Sequence, residues 1–187
     1  MNKVLLLFGT RYGTTKEISQ KLQEILENNE ISTLLINLND NIVQIPSIQD
    51  FDGIIIGTGI RITKWSKNVI KFIENNLDNL KNYKNKFGLF ISCGTASNKN
   101  SIKKAIDQFI TPKLKKYELN PDIYDAFGGI FDLRDSTNLS WIGQKILKIV
   151  LKKQEGIRNP EKKIYNFINW NQIHEFGEKF VKIINNS

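Results

Sequence analysis

Three threonines, a glycine and an arginine stand together in Thr10-Arg11-Tyr12-Gly13-Thr14-Thr15, directly after the apolar run Val4-Leu5-Leu6-Leu7-Phe8. A buried strand ends there, a short loop turns, and a helix begins at about Thr15. The first N–H groups of such a helix have no partner within it and lie at the positive end of its dipole. The turn is therefore an anion site. The hydroxyls of Thr10, Thr14 and Thr15 add donors, and Gly13 lets the backbone approach the anion closely. A phosphate monoester suits this loop. It lacks both the Gly-Lys-Ser/Thr ending of a nucleotide P-loop and the three-glycine dinucleotide fingerprint. The alternative is a plain capped helix after a strand.

Two further loops carry small residues at comparable positions: Gly57-Thr58-Gly59-Ile60-Arg61-Ile62-Thr63-Lys64-Trp65 and Ser92-Cys93-Gly94-Thr95-Ala96-Ser97-Asn98. Their backbone amides can approach the edge of a flat polar ring. Trp65 is either a ring that stacks on such a ligand, contributing about 0.5–1.5 kcal/mol beyond its buried area, or a core residue. Arg61 faces a phosphate or an acidic substrate group, or it is simply exposed. Cys93 is either near redox chemistry or a small packing residue. It is the only cysteine, which excludes an internal disulfide and a cysteine-based structural zinc site. A single histidine, His174, removes most hydrolytic and metal chemistries and reads as surface or core edge.

The elements that must position these loops alternate. Helices are expected over 15–28 (stripe Ile18, Leu22, Ile25, Leu26), 65–80 (Val69, Ile70, Ile73, Leu77), 99–109 and 170–184 (Ile173, Phe176, Phe180, Val181, Ile184). Strands are expected over 3–8, 32–38, 52–57, 86–92 and 123–130. The run Ile54-Ile55-Ile56 is what a central parallel strand shows when both its faces are covered. Such an order implies one α/β domain over 1–187, with a parallel sheet and right-handed crossovers.

The chain is long enough for a sizeable single core, and 40% hydrophobic with 25% charged residues suits a soluble globular protein. The apolar run at the N-terminus is too short for a signal-peptide core, and no stretch approaches the length of a membrane span. The expected compartment is cytoplasmic. A net charge of +8 attracts anionic partners. The lysines are spread without interleaved surface aromatics, so nucleic acid is not expected as a partner.

After the fifth strand a long segment, about 131–169, precedes the closing helix. Within it, 139–153 places Trp141, Ile142, Ile146, Ile149 and Val150 on one helical face and Lys145, Lys148 and Lys152 on the other. A basic amphipathic helix bearing tryptophan has the composition of an interfacial membrane anchor. The same pattern fits an ordinary packed helix or a contact between two copies of the chain.

The 10–15 loop resembles the Thr/Ser-x-Thr-Gly-x-Thr loop with which flavodoxin-like proteins hold the phosphate of FMN, with Tyr12 in place of the usual threonine. That resemblance implies a doubly wound, five-stranded sheet in the order 2-1-3-4-5, with a long helical insertion after the fifth strand. The ligand then lies at the carboxyl ends of strands one, three and four. It also implies that Thr10, Arg11, Tyr12, Gly13, Thr14 and Thr15 hold the phosphate. Thr58, Gly59, Ile60, Arg61, Ser92, Cys93, Gly94 and Thr95, with Trp65, then line the flavin ring.

A more specific likeness rests on Thr10-Arg11-x-Gly13-x-Thr15, on Ile55-Ile56-Gly57 through Ile60-Arg61, and on Trp170-x-Gln172-Ile173. Ala126-Phe127-Gly128-Gly129 followed by the basic insertion adds to it. Together these are similar to the menaquinone-dependent protoporphyrinogen IX dehydrogenases. Departures are Ile62-Thr63-Lys64-Trp65, where that family tends to carry a Tyr-Gly-His-Tyr-like stretch, and an insertion that starts with Phe131, Arg134 and Asp135-Ser136-Thr137.

The resemblance implies an FMN enzyme that takes hydride from a reduced tetrapyrrole, or another small redox substrate, and passes electrons to menaquinone or a similar acceptor. It would work at the anionic inner face of the cell membrane, where propionates and lipid headgroups both meet positive charge. The rival readings are a soluble flavodoxin-type electron carrier or an FMN-dependent quinone reductase.

Overall fold

The computed structural model describes residues 1–40, 44–134, 145, 148–149, 151–152 and 157–186. Strands β1 (Lys3–Gly9), β2 (Ser32–Asn37), β3 (Gly53–Gly59), β4 (Lys86–Ser92) and β5 (Ile123–Phe127) form one sheet in the order β2-β1-β3-β4-β5. Every pairing in it is parallel, as the sequence pattern and the resemblance imply.

Strands β1, β3 and β4 are buried along nearly their whole length, which is why they read as unbroken apolar runs. Alternate residues feed two cores. Leu5, Leu7, Ile54, Ile56, Leu89 and Ile91 pack with residues of α2 (Lys67–Asn75), α3 (Leu77–Lys81), α4 (Ile102–Ala105) and α5 (Thr111–Tyr117). On the other face Val4, Leu6, Ile55 and Phe90 meet Ile18 and Leu22 of α1 (Thr14–Asn28), with Phe176 and Phe180 of the closing helix α6 (Trp170–Asn185). Each such side chain contributes about 1.5–3 kcal/mol by leaving water. Phe127 sits between Phe90 and Phe176, each ring centroid 5.6 Å from its own, and so locks β5 to β4 and α6.

Three boundaries differ most from the sequence pattern. The helix expected over 65–80 begins at Lys67 and divides at Asn76, whose side-chain amide donates to Phe72 O at 2.9 Å. An asparagine that satisfies a carbonyl of the preceding turn ends a helix in this way. The helix expected to stop near residue 109 runs on to Tyr117 through a widened π turn, Ile106–Ile110. Pro112 has no N–H for the carbonyl four residues before it, and the wider turn relieves that mismatch. The fifth strand stops at Phe127, and the chain then turns at Gly128-Gly129.

Beyond that turn lies a feature the sequence pattern did not reveal. Strands β6 (Ile130–Asp132) and β7 (Ile164–Asn166) pair antiparallel, with Phe131 opposite Tyr165. Phe131, Leu133, Leu151 and Tyr165 form a small separate core, with Ile157 and Phe167 against it. Of the amphipathic segment 139–153, only Lys145, Lys148, Ile149, Leu151 and Lys152 belong to the described residues, and these are helical. The three lysines are exposed as expected. Ile149, assigned to the apolar face, is 49% exposed, whereas Leu151 is wholly buried. Of the expected apolar face, Ile149 alone is described, and it is not packed. Trp141, Ile142, Ile146, Val150 and Lys153 lie outside the described residues, as do Asp135, Ser136 and Thr137.

Candidate functional site

The three loops singled out by composition all leave the carboxyl ends of adjacent strands β1, β3 and β4. Paired register brings Gly9 beside Thr58 and Gly59 beside Ser92. Two hydrogen bonds then tie the loops together: Thr15 Oγ1 and Ser92 Oγ share one at 2.8 Å, and Ile60 N–H donates to Ser92 O at 2.9 Å.

The first loop enters α1 through Gly13, at φ +96° and ψ −29°. Nothing lies within 4 Å of where a Cβ would stand, so the demand for glycine comes from the backbone. An L residue in left-handed backbone costs about 1–2 kcal/mol. No side chain caps α1, and among the described residues no acceptor meets the N–H groups of Arg11, Tyr12, Thr14, Thr15 and Lys16. The capped-helix alternative therefore fails. The loop presents a row of unpaired amides at a positive helix end, which is the donor set a phosphate needs.

The threonines divide their roles differently from the expectation. Thr10 Oγ1 accepts the Gly13 N–H at 3.1 Å and so shapes the turn. Thr14 and Thr15 are buried. Thr14 Oγ1 accepts the Ile130 N–H at 3.4 Å, and Thr15 is paired with Ser92. Because the first turn of α1 packs against the end of β4 and the start of β6, these two hydroxyls brace the site from within. Arg11 and Tyr12 remain exposed, with the guanidinium carbon 5.8 Å from the ring centroid.

In the second loop Thr58 is fully buried, and its hydroxyl accepts the Ser66 N–H at 3.0 Å, closing the loop at its base. Arg61 and Lys64 exchange backbone hydrogen bonds at 2.9 and 3.0 Å around Ile62 and Thr63, at φ +45° and +66°. Two consecutive β-branched residues in left-handed backbone are rare outside sites where the surroundings enforce them. Arg61, Ile62 and Lys64 are exposed at the tip.

Trp65 does not join them. It is 6% exposed within the core, and its indole N–H donates to Phe109 O at 2.9 Å. The chain turns inward after Lys64, and the ring packs in the core just ahead of α2. Stacking on a ligand is therefore replaced by packing.

Cys93 follows Ser92 into the third loop, its N–H donating to Phe127 O at 2.9 Å. Burial pushes its thiol from the usual 9.0 up to about 11, against weaker lowering by the Ala96 and Thr95 amides. At neutral pH it is a thiol and a packing residue. We expect slow alkylation of the folded protein by iodoacetamide at pH 7.5. Because the folded value lies above the unfolded one, the stability linked to this group is intact below pH 9. It falls as pH rises from about 9 to about 11. Urea titrations at pH 8 and pH 10.5 on wild type and Cys93→Ala measure this, and the variant should lose the difference.

One contributor escaped sequence reasoning. Asn39, just after β2, donates from Nδ2 to Thr10 O. Its Oδ1 accepts from Asn68 Nδ2 at 3.1 Å and from Ser66 Oγ at 3.4 Å. One amide thus fixes the Thr10 peptide to the start of α2. Since carbonyl and N–H point opposite ways across a trans peptide, it also turns the Arg11 N–H away from Asn39. A lone polar residue in a polar loop gives no pattern by which to find it.

A family model described as a flavodoxin domain matches residues 5–160. The chain belongs to that family. Solved flavodoxin structures share the fold over nearly the whole length. The oxidised flavodoxin 1 of Bacillus cereus is 15% identical at a TM-score of 0.58, covering 96% of this chain and 97% of that one. A flavodoxin from the domain Archaea is 12% identical at a TM-score of 0.57, covering 98% and 99%. The flavodoxin WrbA-like protein of Agrobacterium tumefaciens is 14% identical at a TM-score of 0.51, covering 100% and 97%. No curated protein matches this flavodoxin domain by sequence. Family membership supports FMN as the cofactor, and the unpaired amides around Gly13 fit its phosphate.

Proposed function

We propose that the chain is an FMN-dependent oxidoreductase. The observation that carries this is the start of α1: uncapped, entered through left-handed Gly13, and flanked by the two loops from β3 and β4. Residues 10–15 would hold the phosphate, and 58–61 with 92–95 would flank the ring. When bound, FMN supplies a two-electron acceptor for hydride. The chain's own groups hold the cofactor and draw in the substrate. Among the described residues Arg11, Arg61 and Lys64 have no carboxylate partner, so their charge is available to an anionic substrate. Arg134 is otherwise engaged, since Nε and Nη2 bind Asp132 at 3.0 and 2.8 Å and hold that carboxyl below its usual range.

Within this class the substrate we favour is protoporphyrinogen IX, with menaquinone or a similar quinone as acceptor. Support comes from the sequence resemblance and from the β6–β7 module, which braces the cofactor loop through Ile130 and Thr14. An anionic membrane surface at the inner face of the cell membrane is the partner this chemistry implies. No helix among the described residues is long and apolar enough to cross a membrane, so contact would be peripheral, through exposed lysines such as Lys145, Lys148 and Lys152. The test is an anaerobic spectrum of the FMN-loaded protein mixed with protoporphyrinogen IX. Bleaching of the flavin bands within the mixing experiment is expected. Bleaching only by a cellular flavodoxin reductase, with none by the porphyrinogen, would instead make this an electron carrier.

A further inference from the structure

We infer that Trp65 is a positioning residue that sets the spacing between the two ring loops, 58–65 and 92–98. The inference rests on the FMN reading for its ligand and on buried geometry for its substance. The loops touch at the strand ends, where Ile60 N–H meets Ser92 O at 2.9 Å. A second link lies at their far ends. Trp65 closes the first loop. Phe109 stands on the helical segment that follows the second loop, and the indole N–H reaches its carbonyl at 2.9 Å. That carbonyl lies within the π turn Ile106–Ile110, where Thr111 N–H reaches back to Ile106 O. Pro112 keeps the turn wide because it has no N–H to give. The exposed proline, the widened turn and the buried indole thus form one device. Thr58 completes it by receiving the Ser66 N–H, so the loop between Thr58 and Ser66 is held at both ends of its base. Its tip, with Ile62 and Thr63 in left-handed backbone, keeps that conformation only while the base is fixed.

Trp65→Phe keeps an aromatic ring and removes the donor. Leu80→Ala, in the same core but on α3, serves as a control for simple loss of packing. Hydrogen exchange of the FMN-free protein reads the link directly. The Ile60, Arg61 and Lys64 amides should exchange about tenfold faster or more in Trp65→Phe, and at the wild-type rate relative to global unfolding in Leu80→Ala. FMN affinity should fall about tenfold in the first variant and hold in the second. Should Trp65→Phe fail to fold, Pro112→Ala restores an N–H that can bond Gln108 O and so tighten the π turn that carries Phe109 O, and it should speed exchange of the same three amides. Exchange in these amides unchanged by Trp65→Phe or by Pro112→Ala would overturn the positioning role. Wild-type protein that takes up no FMN would overturn the cofactor reading instead, and exchange in the FMN-free protein tells the two failures apart.

Discussion

Replacing Thr10, Thr14 and Thr15 together with alanine is expected to cost this flavodoxin domain its FMN. A hydrogen bond to a charged group contributes about 1.5–3 kcal/mol, so the triple variant should bind more weakly by several kcal/mol and lose its yellow colour on dialysis. Beyond the bonds to the phosphate, the loss has two structural sources. Thr10→Ala removes the acceptor that holds Gly13 N–H in place and loosens the turn that presents the amides. Thr15→Ala acts through folding, because it leaves the buried Ser92 hydroxyl without its partner, at a cost of about 1–3 kcal/mol. Urea titration of the FMN-free protein measures the second source, and equilibrium dialysis with FMN measures the sum. Gly13→Ala separates them further. It meets open space and disturbs only the backbone at φ +96°, so affinity should drop with little change in packing. A triple variant that stays fully yellow would remove the phosphate loop from the assignment.

The sheet was legible because its signals are local and redundant. Ile54-Ile55-Ile56 and Val4 through Phe8 are continuous apolar runs, and the stripe Ile18, Leu22, Ile25 marks which side of α1 faces the sheet. The three loops were legible because a parallel sheet places every strand's carboxyl end on one edge, so glycine and threonine at or beyond the ends of β1, β3 and β4 must converge. What failed depended on partners distant in sequence. Trp65 looked like a ring beside a ligand loop, and only the fold reveals that Phe109 O lies 2.9 Å from its indole nitrogen. That Thr14 and Thr15 also brace the loop was hidden until β4 and the residue after Gly129 were placed against them. The β6–β7 pair was hidden because three-residue strands are too short to show a period of two, and their partners stand on either side of a long segment. Ile149 was assigned to the apolar face and Leu151 to none, and the small core around Phe131 and Tyr165, which buries Leu151, is not visible in the local pattern.

That small core is the basis of the second large effect. If the proposed porphyrinogen oxidation is correct, Gly128→Ala is expected to separate cofactor binding from substrate oxidation. A Cβ at residue 128 would stand 2.0 Å from Phe167 O and 2.8 Å from its carbonyl carbon. These are backbone atoms, so no rotamer change relieves the clash, and the segment entering α6 must move away from the end of β5. Forced overpacking costs about 1–3 kcal/mol, which a domain with two large cores can bear. The displacement falls on the Phe167 N–H bond to Gly129 O, 3.1 Å, and through Ile130 on the brace to Thr14. The Thr15–Ser92 and Ile60–Ser92 bonds between the loops from β1, β3 and β4 remain. FMN should therefore still bind, more weakly by what the Thr14 brace and the 3.3 Å approach to Ala96 O contribute, and be bleached by dithionite at the wild-type rate. Bleaching by protoporphyrinogen IX should slow tenfold or more if the β6–β7 module forms one wall of the substrate site, since about 1.4 kcal/mol of lost stabilisation is a factor of ten. Stopped-flow absorbance under nitrogen measures both rates on the same sample. Wild-type bleaching by the porphyrinogen in a variant whose Phe167 amide has lost its exchange protection would show that substrate does not use this module. It would leave the exposed Arg11, Arg61 and Lys64 beside the cofactor loops as the groups that receive the substrate.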